Sequence, residues 1–173
     1  GYSMMVGGDA DAITTLTPIF TALAPPDGWH HFGQSGSGHY VKMVHNAIEY
    51  GLMESYAEGY RMLNDGPIKN IDLVAAGTVW KNGSIIGSLL NDLTVEALKQ
   101  NPTLDGVDGY VAESGETRWM LETAKDHHIE LPVIQQALQV RLASHEGATN
   151  FATKLLAVMR NKFGGHAIPK DNQ

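Results

Sequence analysis

The spacing of hydrophobic positions changes along the chain and divides it into a short α/β segment and a longer helical part. The apolar run Tyr2–Val6 ends at two glycines and predicts a buried strand. Apolar positions then recur three or four residues apart from Ile13 to Leu23, which predicts a helix with Asp9 as its N-cap. The run Trp29–Phe32 follows a Pro-Pro-Asp-Gly break and predicts a second short strand.

The remaining apolar positions have helical spacing. A long helix is predicted from about His39 to Leu63, where Asn-Asp-Gly-Pro ends it. Further helices are predicted at Ile71–Lys81, Ile85–Lys99, Glu116–His127, Pro132–Ala143 and Asn150–Lys162. Ser114 is the predicted cap of the helix that starts at Glu116. The predicted fold class is therefore mainly α, with a strand–helix–strand segment in front of a helical domain.

The strand–helix–strand segment has the character of the last unit of an α/β domain. The rest of the sheet that it would complete is absent from the 173 residues, and the chain opens directly on a predicted strand. We therefore expect a fragment, in which residues 1–34 are the end of an incomplete domain and residues 35–173 form an all-α domain.

Composition narrows the class of protein. With 43% hydrophobic residues the chain can bury a proper core, and its formal charge of −7 disfavours non-specific nucleic-acid binding. The absence of cysteine excludes disulfides and thiolate metal sites and is compatible with a cytoplasmic protein. No apolar run approaches the ~18–20 residues of a membrane span, and the N-terminus does not read as a signal peptide. The adjacent histidine pairs lack metal-ligand spacing, so no metal site is expected.

The long predicted helix carries polar side chains on one face. They recur at helical spacing and are Lys42, His45, Asn46, Glu49 and Tyr50. Lys42 and Glu49 are separated by about 10.5 Å of helical rise, so their side chains can bracket a small elongated substrate. A lysine can act as a base and a glutamate as an acid when their surroundings shift their pKa values. A solvated helix face is the alternative interpretation.

A glycine-rich loop and two arginines are candidate anion sites. The loop Gly33-x-x-Gly36-x-Gly38 precedes a helix N-terminus, where backbone N–H groups attract anions, and Gly38 is a candidate cofactor contact. Its pattern is not a dinucleotide fingerprint, so a nucleotide cofactor would bind mainly outside the chain. The alternative interpretation of this loop is a tight connection between two domains. Arg141 is a candidate phosphate ligand, and a surface charge is the alternative interpretation. Arg160 and the nearby His166 form another candidate phosphate site, and a frayed tail is the alternative there.

Several segments together resemble one family. "GSGHYVKMVHNAIEYGLMESYAEGY" closely resembles the opening of the helical domain of 6-phosphogluconate dehydrogenase, the decarboxylating oxidoreductase of the pentose phosphate pathway. "GYSMMVGGDADA" looks like the end of that family's coenzyme-binding domain, "LPVIQQALQVRLAS" resembles its phosphate-binding helix, and "RNKFGGHAI" resembles its C-terminal tail. The resemblance covers essentially the whole chain. It implies the C-terminal helical domain of the compact, short-chain form, preceded by a remnant of a Rossmann-like domain.

The resemblance implies roles for the polar face of the long helix. Lys42 matches the family's general base, and Glu49 matches its general acid. His45 and Asn46 match residues that hold the hydroxyl and carboxylate end of the sugar acid. The implied reaction is oxidation of 6-phosphogluconate by NAD or NADP, followed by loss of carbon dioxide to give ribulose 5-phosphate.

The resemblance also implies a phosphate site and a homodimer. Tyr50 and Arg141 match phosphate ligands, and Arg160 and His166 match tail residues that reach the partner subunit's active site. Ser114 stands where the family has a further phosphate-binding lysine, which is a departure from the pattern.

Two other functions remain open at this point. The chain resembles, more broadly, β-hydroxyacid dehydrogenases that act on other small hydroxy acids. It could also act on its own only as a module for dimerisation and substrate binding, because hydride transfer needs the nucleotide-binding domain that it lacks.

Overall fold

The computed structural model describes residues 1–165, which are mainly α-helical. The elements in chain order are β1 (Met4–Val6), α1 (Ala10–Leu23), β2 (Trp29–His31), α2 (Ser37–Asp65), α3 (Leu73–Lys81), α4 (Leu89–Gln100), α5 (Glu116–Asp126), α6 (Pro132–His145) and α7 (Phe151–Gly164). The predicted mainly α fold with a strand–helix–strand segment in front is confirmed. No helix in residues 1–165 combines the length and apolar character that a membrane crossing requires.

The first compact unit consists of Gly1–Ile48 and Glu116–Ile129. Its strands β1 and β2 are parallel and pair Met4 with Trp29, which requires a crossover connection; α1 provides it. The Asp9 carboxylate accepts hydrogen bonds from the first backbone amides of α1, as predicted for its N-cap.

The second compact unit consists of Glu49–Gly115 and the described part of Glu130–Gln173. Its core is formed by α2, α3, α4 and α7 together with the loop before α5. The fully buried core side chains include Met53, Tyr60, Leu98, Leu104, Val111, Leu155, Leu156 and Met159. The side chains of Asn150 and Thr153 cap α7 reciprocally, which fixes where this helix begins.

One local prediction is corrected by the structure, whereas the predicted cap of α5 stays a prediction. Helix α5 begins at Glu116, two residues after Ser114. Helix α4 begins at Leu89 rather than Ile85, because the Ser88 side chain accepts the Asn91 amide and caps the helix there.

Candidate functional site

A chain of polar contacts leads from the exposed end of α2 to α5 within the first unit. Lys42 Nζ lies 3.2 Å from His45 Nδ1, and the same ring nitrogen lies 3.0 Å from Asn46 Oδ1. The Asn46 side-chain nitrogen donates a hydrogen bond to the carboxylate of Glu116. Lys42 and His45 are exposed and Asn46 is half-buried, so the amine and the imidazole are accessible to a solute. Three predicted site residues are therefore in contact with one another.

A buried arginine forms the centre of a second cluster, which lies in the second unit. Arg141 on α6 is 0% exposed, and its guanidinium carbon lies 3.3 Å from the centre of the Tyr50 ring. Its Nη1 donates to the Ala112 carbonyl at 3.4 Å, and its Nη2 donates to the Met53 sulfur at 3.6 Å. Its Nε has no hydrogen-bond partner among residues 1–165. A buried cation with such weak partners is a site where an anion would be strongly stabilised.

Arg160 adds a second positive charge to this cluster. It lies in α7, is only 6% exposed, and has no hydrogen bond or ion pair within residues 1–165. Burial is the main cause that lowers the pKa of Arg141 to about 10; attraction to Tyr50 opposes this shift and repulsion from Arg160 adds to it. Glu54 and Glu49 also favour the charged guanidinium.

Arg160 lies within helix α7, which continues to Gly164, and in the single chain it is only 6% exposed. Its predicted contact with the partner subunit's site stays a prediction. His166 lies outside the described residues.

Tyr50 is held by contacts to its ring face and to its hydroxyl group. It is 4% exposed, its face stacks against Arg141, and its hydroxyl accepts the backbone N–H of Ser114 at 3.1 Å. The backbone N–H of Ser114, which stands at the position of the family's lysine, therefore helps to hold Tyr50, a candidate phosphate ligand. Glu49, which follows one turn after His45 along α2, is half-buried and attracts Arg141 electrostatically.

Gly38 has a structural reason to be glycine. It is buried at the start of α2, and a Cβ atom there would collide with the Met5 carbonyl oxygen of β1. The close approach of the helix start to the strand therefore requires a residue without a side chain. Its suggested contact with a cofactor remains a prediction.

Two carboxylates in these clusters were not among the predicted site residues. Glu116 contacts Asn46 across 70 positions of sequence, and no local pattern points to such a pair. Glu54 is 7% exposed, and its Oε2 has no hydrogen-bond partner among residues 1–165. The sequence did hold a signal for Glu54, since it falls on the face of α2 that also buries Met53 and Ala57. Within residues 1–165 no group of three or more His, Cys, Asp or Glu could hold a metal ion.

Glu54→Gln is expected to change how stability depends on pH. Burial, with a contribution from Glu58, raises the pKa of Glu54 from 4.5 to about 7, against the attraction of Arg141. Because the folded-state pKa is raised, the wild-type chain should lose stability as the pH rises from about 4.5 to about 7. The Glu54→Gln chain should not show this loss of stability, and above pH 7 its free energy of unfolding should exceed that of the wild-type by roughly 2–3 kcal/mol. Urea unfolding across this pH range measures the difference.

Glu130→Gln is the matched control for that experiment. Glu130 is exposed and is not among the causes that shift the pKa of Glu54, so removing its charge should leave the pH dependence of stability unchanged. Stability curves of wild-type and Glu54→Gln that stay parallel from pH 4 to pH 8 would contradict the raised pKa of Glu54.

Comparison with known proteins identifies clear relatives. Residues 38–171 match the family described as 6-phosphogluconate dehydrogenase, C-terminal domain. The "Putative 6-phosphogluconate dehydrogenase YqeC" of Bacillus subtilis is 40% identical over 98% of this chain and 57% of its own length. The "6-phosphogluconate dehydrogenase, NAD(+)-dependent, decarboxylating" of Haloferax volcanii gives the same identity and coverage. The "6-phosphogluconate dehydrogenase, decarboxylating" of Lactococcus lactis subsp. lactis is 34% identical over 95% of this chain and 38% of its own length. The chain thus spans a little over half the length of the first two relatives.

Proposed function

The chain belongs to the 6-phosphogluconate dehydrogenase family, and on that premise we propose that it supplies the substrate site of a decarboxylating 6-phosphogluconate dehydrogenase. The enzyme would oxidise 6-phosphogluconate with NAD or NADP and release carbon dioxide and ribulose 5-phosphate. The observation that carries this proposal is the fully buried Arg141, whose guanidinium has only weak partners among residues 1–165.

We propose that Arg141 and Arg160 bind the phosphate group of the substrate. Two buried guanidinium groups match the charge of a phosphate dianion, and each can donate two hydrogen bonds in a planar fork. Stacking on Tyr50 fixes the plane of the Arg141 guanidinium before the ligand arrives. This preorganisation reduces the entropy that binding would otherwise cost.

The acid and base of the reaction lie on α2 in this proposal. Lys42 and Glu49 belong to one continuous helix and are separated by about 10.5 Å of rise, which suits the two ends of a short sugar-acid chain. His45 and Asn46, which contact each other at 3.0 Å, provide further polar atoms for the hydroxyl and the carboxylate of the substrate. The proposed roles come from family membership and from these positions.

The chemistry then follows in three steps, which are oxidation, decarboxylation and protonation. A bound nicotinamide coenzyme would supply the acceptor for the hydride of carbon 3, and the uncharged Lys42 amine takes the proton of the 3-hydroxyl group. The resulting β-keto acid loses carbon dioxide, and the Lys42 ammonium stabilises the enolate oxygen and gives it a proton, which forms the enediol. Glu49 then delivers a proton to carbon 1 of the enediol while Lys42 takes back the proton of the 2-hydroxyl group, which gives ribulose 5-phosphate.

The quaternary part of the proposal is a homodimer in which the tail carrying His166 enters the partner's site. This rests on the resemblance of "RNKFGGHAI" to the family tail. By the same resemblance Arg160 belongs with that tail, and in the single chain it is only 6% exposed.

The experiment that tests the proposed function compares substrates in a dehydrogenase that contains this chain. We expect one carbon dioxide per reduced coenzyme with 6-phosphogluconate, and a kcat/KM at least about 100-fold lower with gluconate, which lacks the phosphate. The 173-residue chain alone should bind 6-phosphogluconate without reducing coenzyme. Equal efficiency with gluconate or another small hydroxy acid would favour a different β-hydroxyacid dehydrogenase instead.

A further inference from the structure

The Glu116 carboxylate closes the chain of polar contacts that starts at Lys42. It lies in the first turn of α5 and accepts a hydrogen bond from the Asn46 side-chain nitrogen. Asn46 Oδ1 lies 3.0 Å from His45 Nδ1, and Lys42 Nζ lies 3.2 Å from that same nitrogen. The proposed mechanism assigns Glu116 no role.

The chemistry of these groups fixes the direction of the hydrogen bonds. A carboxylate can only accept, so Asn46 must turn its NH2 group towards Glu116 and its carbonyl oxygen towards His45. An amide oxygen can also only accept, so the hydrogen bond at 3.0 Å requires a proton on His45 Nδ1. A neutral imidazole carries one proton, which leaves Nε2 as a hydrogen-bond acceptor.

We propose that Glu116 is a positioning residue that selects, through the Asn46 amide, the Nδ1-protonated tautomer of His45. His45 then offers Nε2 as an acceptor, which suits a substrate group that donates, such as a hydroxyl. The same nitrogen then cannot accept a hydrogen bond from the Lys42 amine 3.2 Å away, because it carries the proton that it donates to Asn46.

The tautomer of His45 can be measured directly in this chain. Long-range proton–nitrogen correlation spectra of 15N-histidine-labelled protein at about pH 8, where imidazole is mostly neutral, report which ring nitrogen carries the proton. His45→Gln assigns the resonance. We expect the wild-type to have the proton on Nδ1, and Glu116→Ala to shift the population towards Nε2. Glu116→Gln keeps an acceptor for Asn46 and should restore much of the wild-type tautomer.

Glu122→Gln is the matched control, because Glu122 is exposed on the same helix and loses the same charge. It should leave the His45 tautomer unchanged. A wild-type His45 with its proton on Nε2 would overturn the inference whatever the variants do. An Nδ1 proton that persists in a folded Glu116→Ala chain would overturn it as well.

The role of Nε2 towards the substrate rests on the proposed function, whereas the tautomer does not. In a dehydrogenase that contains this chain, Glu116→Ala should lower kcat/KM for 6-phosphogluconate about tenfold, and Glu116→Gln should lower it less. Failure of 6-phosphogluconate to bind to the wild-type chain would overturn the proposed function. The tautomer measurement would still decide the role of Glu116.

Discussion

Lys42→Met is expected to lower the turnover number of a dehydrogenase that contains this chain by about 10²- to 10⁴-fold, the usual contribution of a general base. Methionine has a similar length and apolar stem but cannot take the proton of the 3-hydroxyl group or stabilise the enolate oxygen. Lys42 is exposed, so its loss should not affect folding. Steady-state kinetics with 6-phosphogluconate at saturating coenzyme measure the effect, and calorimetry of the variant should show binding within a few-fold of wild-type.

Lys125→Met is the control for that substitution. Lys125 is an exposed lysine in the last turn of α5, and its removal changes the net charge by the same amount. It should leave the turnover number unchanged. A Lys42→Met enzyme with near-normal turnover would exclude this lysine as the base.

Arg141→Met is expected to weaken binding of 6-phosphogluconate to the chain by about 100-fold and to leave binding of gluconate unchanged. The lost interaction is a buried, charge-assisted contact with phosphate, which is stronger than an exposed ion pair. Arg141→Lys should give an intermediate loss, because it keeps a charge but lacks the planar fork and the stacking on Tyr50. Isothermal titration calorimetry with both ligands measures the two affinities.

The Arg141 substitution also has a stability readout that separates binding from folding. Replacing a poorly partnered buried cation by an apolar side chain should leave the free energy of unfolding equal or raise it. Arg61→Met removes an exposed arginine that is paired with Asp65 and should affect neither ligand. A folded Arg141→Met chain that still prefers 6-phosphogluconate over gluconate by the wild-type factor would exclude Arg141 from the phosphate site.

The elements of the fold could be predicted from the sequence because their signals are local. Apolar spacing predicted the helices, Asp9 was predicted as the N-cap of α1, and the Pro-Pro-Asp-Gly break separated α1 from β2. The error at the start of α4 was also local in origin. The apolar positions from Ile85 onwards suggested an earlier start, and only the packed structure shows that the Ser88 side chain caps this helix.

The candidate site could be predicted only in part, because burial depends on tertiary packing. The sequence placed Lys42, His45 and Asn46 on one helix face, and the contact between Lys42 and His45 follows from their separation of three residues. It left open whether Arg141 is a surface charge or an anion ligand, since nothing local indicates that α6 buries it completely. Glu116 was missed for the same reason, as its contact with Asn46 joins residues far apart in sequence.

The most direct measurement is hydrogen exchange at carbon 1 of ribulose 5-phosphate in D₂O, catalysed by a dehydrogenase that contains this chain. This exchange reverses the last proposed step and needs an acid and a base but no net oxidation. If Lys42 and Glu49 act on one bound sugar phosphate, the wild-type enzyme should incorporate deuterium at a single carbon 1 position. Both Lys42→Met and Glu49→Gln should abolish incorporation; exchange at the wild-type rate in either variant would contradict the assignment of base and acid to α2.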